Sequence, residues 1–115
     1  MTLSLPIPDA KIWPNSRAHW RKKAAITKNH RLEANASIFA YFGAEDRSIK
    51  RSGYTLAFFY KDARKRDDDN AQASCKAYRD GIADALGVDD NTLKLLAIPT
   101  FAIDRNNPRV EITLI

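Results

Sequence analysis

The sequence predicts an α/β domain of the α+β type, with a small mixed β-sheet of about four strands and two main helices packed on it. Three observations predict this. The 115 residues suffice for one compact domain and leave no room for a second core. At 44% hydrophobic and 29% charged residues, the composition is that of an ordinary globular protein. Apolar runs of period two also alternate with stretches of helical period, in the order strand, loop, helix, strand, helix, strand, strand.

The elements follow in turn. Residues 3–7 form a short apolar strand, ended by Pro6, Pro8 and Asp9. Residues 11–31 carry Lys11, Arg17, Arg21, Lys22, Lys23, Lys28 and Arg31, with His19 and His30 and no acid. Trp13 and Trp20 lie within this tract, as in surfaces that neutralise phosphates and stack on bases or sugars. A solvated loop whose tryptophans cover the edge of the core fits the same residues. Residues 31–42 read as an amphipathic helix with Leu32, Ala36, Phe39 and Ala40 near one face, stopped at Gly43. Residues 45–53 form a polar loop. Residues 54–60 are a strand with apolar side chains on both faces, which predicts a central position. Residues 71–86 form a helix whose Ala71, Cys75, Tyr78, Ile82, Ala85 and Leu86 share one face, opposite Asp69, Lys76 and Asp80. Gly81 inside that helix costs roughly 1 kcal/mol relative to alanine, and Gly87 ends the helix. Residues 93–101 and 110–115 close the chain as strands around a turn at 104–108.

Between the central strand and its following helix lies Arg64-Lys65-Arg66-Asp67-Asp68-Asp69-Asn70, which passes abruptly from cations to carboxylates. Carboxylates this dense repel one another unless a metal, cations or water offset them. In an extended segment Asp67 and Asp69 point the same way, and Asp68 points elsewhere as a cap or solvent-facing acid. Carboxylates without His or Cys suit a hard cation such as Mg²⁺, which also binds phosphate. Lys76 can then neutralise a phosphate or leaving oxygen. Helix capping and surface salt bridges to Arg64, Lys65 and Arg66 account for the same residues without chemistry. A second acidic pair, Asp89-Asp90, lies beyond a helix about 25 Å long, so its return to the first cluster does not follow from spacing.

The formal net charge of +5 and pI of about 9.5 are moderately basic, compatible with a polyanionic partner. The single cysteine excludes an internal disulfide and a Cys-rich zinc site, and Cys75 on the apolar stripe reads as core. His19 and His30 have no metal-ligand spacing and read as DNA-facing or surface residues. No apolar run reaches the ~18 residues of a membrane span, and no basic region followed by an apolar one opens the sequence. A cytoplasmic protein with no membrane contact is expected.

The most specific motif is Arg66-Asp67-Asp68-Asp69-Asn70, followed by Asp80-Gly81-Ile82-Ala83-Asp84-Ala85-Leu86 and Asp89-Asp90. With Leu5-Pro6-Ile7-Pro8 and Trp13-Pro14-Asn15-Ser16-Arg17 at the start, it resembles the RusA family of Holliday junction resolvases, in its phage and prophage type. The resemblance implies a homodimeric, Mg²⁺-dependent endonuclease, with Mn²⁺ as a substitute metal, that resolves four-way junction DNA by paired nicks in the cytoplasm of a bacterial host. It implies that Asp67, Asp69 and Asp90 bind the metal, with Asp89 the alternative to Asp90. In relatives a catalytic lysine stands four residues after the second acid; that position is Ala73 here, and Lys76 is the substitute. The DNA-binding residues expected are Asn15, Arg17, Arg21, Lys22, Lys23, Lys28, Arg64, Lys65 and Arg66. Two alternatives fit the same features: a non-catalytic module that binds branched DNA, and a nuclease preferring flaps or other branches.

Overall fold

The computed structural model of the chain describes residues 1–14, 16–42, 53–64, 66 and 68–115. The expected loop at 45–53 lies almost entirely outside the described residues, as do Gly43, Asn15, Lys65 and Asp67. The described elements run β1 (Thr2–Leu5), α1 (Trp20–Phe42), β2 (Gly53–Tyr60), α2 (Asp68–Ser74), α3 (Lys76–Leu86), β3 (Lys94–Leu95), β4 (Thr100–Ile103) and β5 (Arg109–Leu114). The fold is a two-layer α+β arrangement, with helices on one face of a mixed five-stranded sheet.

The sheet order is β1-β5-β2-β3, antiparallel as far as β2 and parallel beyond it. β3 pairs with Gly53 and Tyr54, and β4 pairs with Ala57 to Tyr60, so both run along one edge of β2. The expected single strand at 93–101 is therefore two short strands, separated at 96–99 around Pro99, which has no N–H for the ladder. β2 is central as expected, but the reason differs. Leu56, Phe58 and Tyr60 enter the core, while Thr55, Ala57 and Phe59 stay half-buried on the face away from the described helices. On that face the Arg109 guanidinium lies 4.0 Å from the Phe59 ring centre.

Helix α1 begins at Trp20, well before the expected start at 31, so most of the basic tract is helical rather than loop. His19 supports its first turn by accepting the Arg21 N–H on Nδ1 at 3.2 Å. The predicted buried face is also wrong. Leu32, Ala36, Phe39 and Ala40 are exposed, and the buried stripe is His30, Ala34, Ile38 and Phe42, spaced every four residues. His30 is thus an internal residue rather than a surface one. Its Nε2 accepts the Asp9 N–H at 3.1 Å, which leaves Nδ1 to donate to Glu33 at 3.0 Å. Tyr78 beside it donates to the Pro6 carbonyl at 2.6 Å, tying the segment after β1 to α3.

The α3 stripe matches expectation: Ala71, Cys75, Tyr78, Ile82, Ala85 and Leu86 are all buried. The helix is interrupted at Cys75, however, which separates α2 from α3. Gly81 has a packing reason. A Cβ there would overlap the Arg31 carbonyl oxygen, so glycine allows α1 and α3 to approach closely. Gly87 ends α3 in the left-handed conformation at φ 70°, and its N–H returns to the Ala83 and Asp84 carbonyls.

Candidate active site

The charged stretch leaves the end of β2, and its cations do not behave alike. Arg66 folds back on the strand, with its guanidinium 4.1 Å from the Tyr60 ring centre. Its Nη2 donates to Asp62 Oδ1 at 2.9 Å, and its Nη1 donates to the Asp62 and Arg64 carbonyls at 3.1 and 2.9 Å. The Arg64 N–H and the Arg66 guanidinium hold the Asp62 carboxyl below its ordinary range. Arg64 is exposed. Asp68 and Asp69 form the first turn of α2, where a helix N-terminus favours negative charge.

Asp69 lines an open pocket of about 350 Å³ together with Tyr54, Gln72, Ala73, Lys76 and Arg79. Ala73, where relatives of the resembled family carry lysine, and Lys76 therefore face the same space. Lys76 is 68% exposed and reaches Asp80 Oδ2 at 3.3 Å. Arg79, one turn further, bridges Asp80 and Asp90. Its Nη2 lies 3.4 Å from Asp80 Oδ1 and 3.5 Å from Asp90 Oδ2.

The return of Asp90 depends on the topology after α3. Gly87 reverses the chain, and a 3₁₀ turn at Asp90–Thr92 leads into β3, which pairs with Gly53 and Tyr54. That pairing brings the segment from Asp90 onward beside the start of β2, where Tyr54 lines the Asp69 pocket. Asp89 and Asp90 differ in their engagements. Asp89 caps the 3₁₀ turn, accepting the Asn91 N–H at 3.0 Å. Asp90 pairs with Arg79, while hydrogen bonding with the Asp89 and Asp80 carboxyls raises its own carboxyl above the ordinary range. Among the described residues no three His, Cys, Asp or Glu side chains form a ready group for a metal ion.

Arg79, Asp80 and Tyr54 belong to this site without having been assigned to it from sequence. Arg79 stands three residues after Lys76, on the same side of α3, which is the signal that would have found it. Tyr54 left none, because it belongs to β2 and only the fold sets that strand beside α2 and α3.

The first half of α1 carries the expected basic residues. Arg17, Arg21, Lys22 and Lys28 are exposed, whereas Lys23 is half-buried and donates to the Ser16 carbonyl at 2.7 Å. Trp20 is 66% exposed between the stacked His19 ring and Arg21, whose guanidinium is 5.2 Å from the indole centre. Thr27 of α1 shares a smaller pocket with Ala73, Lys76 and Asp80, so the basic helix adjoins the acidic site. Among the described residues no helix is long and apolar enough to cross a membrane.

No protein family profile matches the chain. A protein of Xylella fastidiosa (strain Temecula1 / ATCC 700964), described as uncharacterized, is similar to it at 37% identity over 91 residues. The match covers 77% of this chain and 60% of that protein, so the chain corresponds to only part of that relative's length.

Proposed function

We propose that the chain is a Mg²⁺-dependent, structure-selective DNA endonuclease of the RusA type, resolving four-way junctions by paired nicks. The observation that carries this reading is the single pocket shared by Asp69, Lys76 and Arg79, with Arg79 also paired to Asp90. The residues that would hold the metal are Asp69 and Asp90, with Asp67 two residues before Asp69. Carboxylate oxygens of this kind suit a hard divalent cation, and a bound ion or DNA would have to draw them together, since among the described residues they form no ready group. Such a cation would polarise water and offset the charge developing at phosphorus. The chain's own cations complete the chemistry. Lys76, largely free in solvent, donates to a non-bridging or leaving oxygen of the scissile phosphate. Arg21, Lys22 and Lys28 on α1 hold the DNA backbone, and Trp20 offers an exposed stacking surface.

A homodimer suits this reading because a four-way junction is approximately two-fold symmetric, and two sites about one axis can nick opposed strands. The β4 edge supports it: among the described residues β4 pairs only with β2, and Ile98, Phe101 and Ile103 lie exposed along that side, Ile98 at 89%. The working compartment is then the cytoplasm of a bacterial host, in a phage or prophage setting.

The test is cleavage of synthetic four-way junctions with and without Mg²⁺, alongside flap and duplex DNA. Metal-dependent paired nicking that disappears in Asp69→Asn is expected. Equal cleavage by the variant would remove the site assignment, and faster cleavage of flaps would change the substrate. A second reading, a non-catalytic branched-DNA-binding module, is favoured by the pairing of Asp80 and Asp90 with the chain's own Lys76 and Arg79. Junction binding in EDTA without cleavage in Mg²⁺ or Mn²⁺ would establish it.

A further inference from the structure

A second cavity lies at the other side of the charged stretch and takes no part in the chemistry above. It has a volume of about 280 Å³ and is lined by Ile7, Pro8, Trp13, Tyr60, Lys61 and Arg66, among others. Its walls are mainly apolar and aromatic, while Lys61 and Arg66 supply positive charge. Its size falls at the lower end of small-ligand sites, which fits one planar ring system rather than a whole nucleotide.

Tyr60 is the informative residue. It is only 7% exposed, and its hydroxyl is buried without a hydrogen-bond partner among the described residues. Burial raises this hydroxyl above the ordinary phenol range. Buried hydroxyls are normally paired, so an orphan beside a cavity marks a place where a ligand can supply the missing partner. The Arg66 guanidinium stacked on the Tyr60 ring is held by Asp62 and the Arg64 carbonyl, so it is a fixed planar platform. Aromatic rings and guanidinium planes are the surfaces on which unpaired bases stack, with nearby cations for the adjoining phosphate.

We infer that this cavity binds a single unpaired nucleobase of a branched DNA, stacked against Trp13 and the Arg66–Tyr60 pair and hydrogen-bonded by the Tyr60 hydroxyl. The inference rests on the DNA-directed reading above. It deepens that reading by giving the protein a way to recognise a branch point, where bases leave the stack at least cost. Arg66 is only three residues before Asp69, so a base held here places its strand near the acidic pocket.

The test is binding in EDTA, so that no cleavage intervenes. Two otherwise identical branched DNAs are compared, one with an unpaired adenine at the branch and one with an abasic residue there. All measurements use the Trp20→Phe background, which leaves Trp13 as the single tryptophan reporter. The adenine DNA is expected to bind about tenfold more tightly and to change Trp13 fluorescence, and Tyr60→Phe should remove most of that preference. Tyr60→Phe keeps the ring and removes only an unpaired hydroxyl, so it should fold with unchanged or higher Tm. Equal binding of the two DNAs would overturn the inference, as would a preference undiminished in Tyr60→Phe. A protein that discriminates without cutting in Mg²⁺ would keep this site and lose the nuclease reading. One that cuts without discriminating would do the reverse.

Discussion

Lys76→Ala separates a chemical role for the lysine from a structural one, because the two predict effects of very different size. The side chain is 68% exposed, and its ion pair is the i,i+4 contact with Asp80 at 3.3 Å. Exposed pairs of that kind contribute about 0.3–0.5 kcal/mol, equivalent to roughly 1–2 °C in Tm for a domain of this size. Loss of one phosphate contact should also weaken junction binding only a few-fold and reduce the salt slope by about one. If Lys76 Nζ instead neutralises charge that develops in the transition state, turnover should fall about 10²–10³-fold. The assay is single-turnover nicking of a four-way junction in Mg²⁺, with junction binding measured separately in EDTA. A relocation variant sharpens the result. Ala73 and Lys76 line the same pocket, so Ala73→Lys placed in the Lys76→Ala protein should restore part of the lost turnover. Turnover within twofold of the parent, or a loss matched by weaker binding, would refute the assignment.

Four further outcomes are expected. Gly81→Ala should lower stability by about 1–2 kcal/mol despite better helix propensity, because the new Cβ meets the rigid Arg31 carbonyl; a raised Tm would disprove that packing argument. Cys75 is buried, and burial pushes its thiol up to about 12, so thiol reagents at pH 8 should modify it only in denaturant. Acid should weaken the fold through Asp84 and Asp104, whose carboxyls Arg31 and Arg109 hold below the ordinary range. Their contribution is present at neutral pH and lost as the pH falls below about 4, so Arg31→Gln should flatten that part of the Tm profile. Asp90 acts in the opposite sense, since its raised carboxyl favours the fold in acid and opposes it once ionised. Ile98→Asp with Ile103→Asp should convert the proposed dimer to monomer in size-exclusion light scattering while the far-UV circular dichroism stays that of the folded chain, as both residues are exposed in the single chain, and Tm should lose its dependence on protein concentration.

How far the fold could be read from sequence depended on whether local pattern and tertiary burial coincide. They coincide in β2 and α3, where alternating aromatics and a continuous apolar stripe leave little choice of register. They part company in α1. In its first half Trp20, Ala24, Ala25 and Ile26 are scattered among cations, so no clear 3.6-residue apolar period announces a helix, and its buried stripe contains His30, which hydropathy counts as surface. His30 is internal because Glu33 on its own helix and, from two other segments, Asp9 and Tyr78 supply polar partners, and a linear reading has no access to the last two. The interruption at Cys75 likewise comes without glycine or proline to mark it.

The same distinction governs the candidate site. Asp69 and Lys76 could be placed on one side from helical geometry, because seven residues make close to two full turns. The break at Cys75 does not separate them, since both still line one pocket. Asp90 could not be placed that way. Its position requires the left-handed Gly87, the 3₁₀ turn after it and the parallel pairing of β3 with Gly53 and Tyr54. Each feature is local, but only their combination carries the chain back past α3. Arg79 then becomes the residue on which the arrangement turns. It lines the Asp69 pocket and pairs with both Asp80 and Asp90, so a single guanidinium offsets the repulsion between acids drawn from two parts of the chain. Arg79 falls between the quoted parts of the Asp-rich motif, because its importance lies in what the fold brings to it rather than in what stands beside it in sequence.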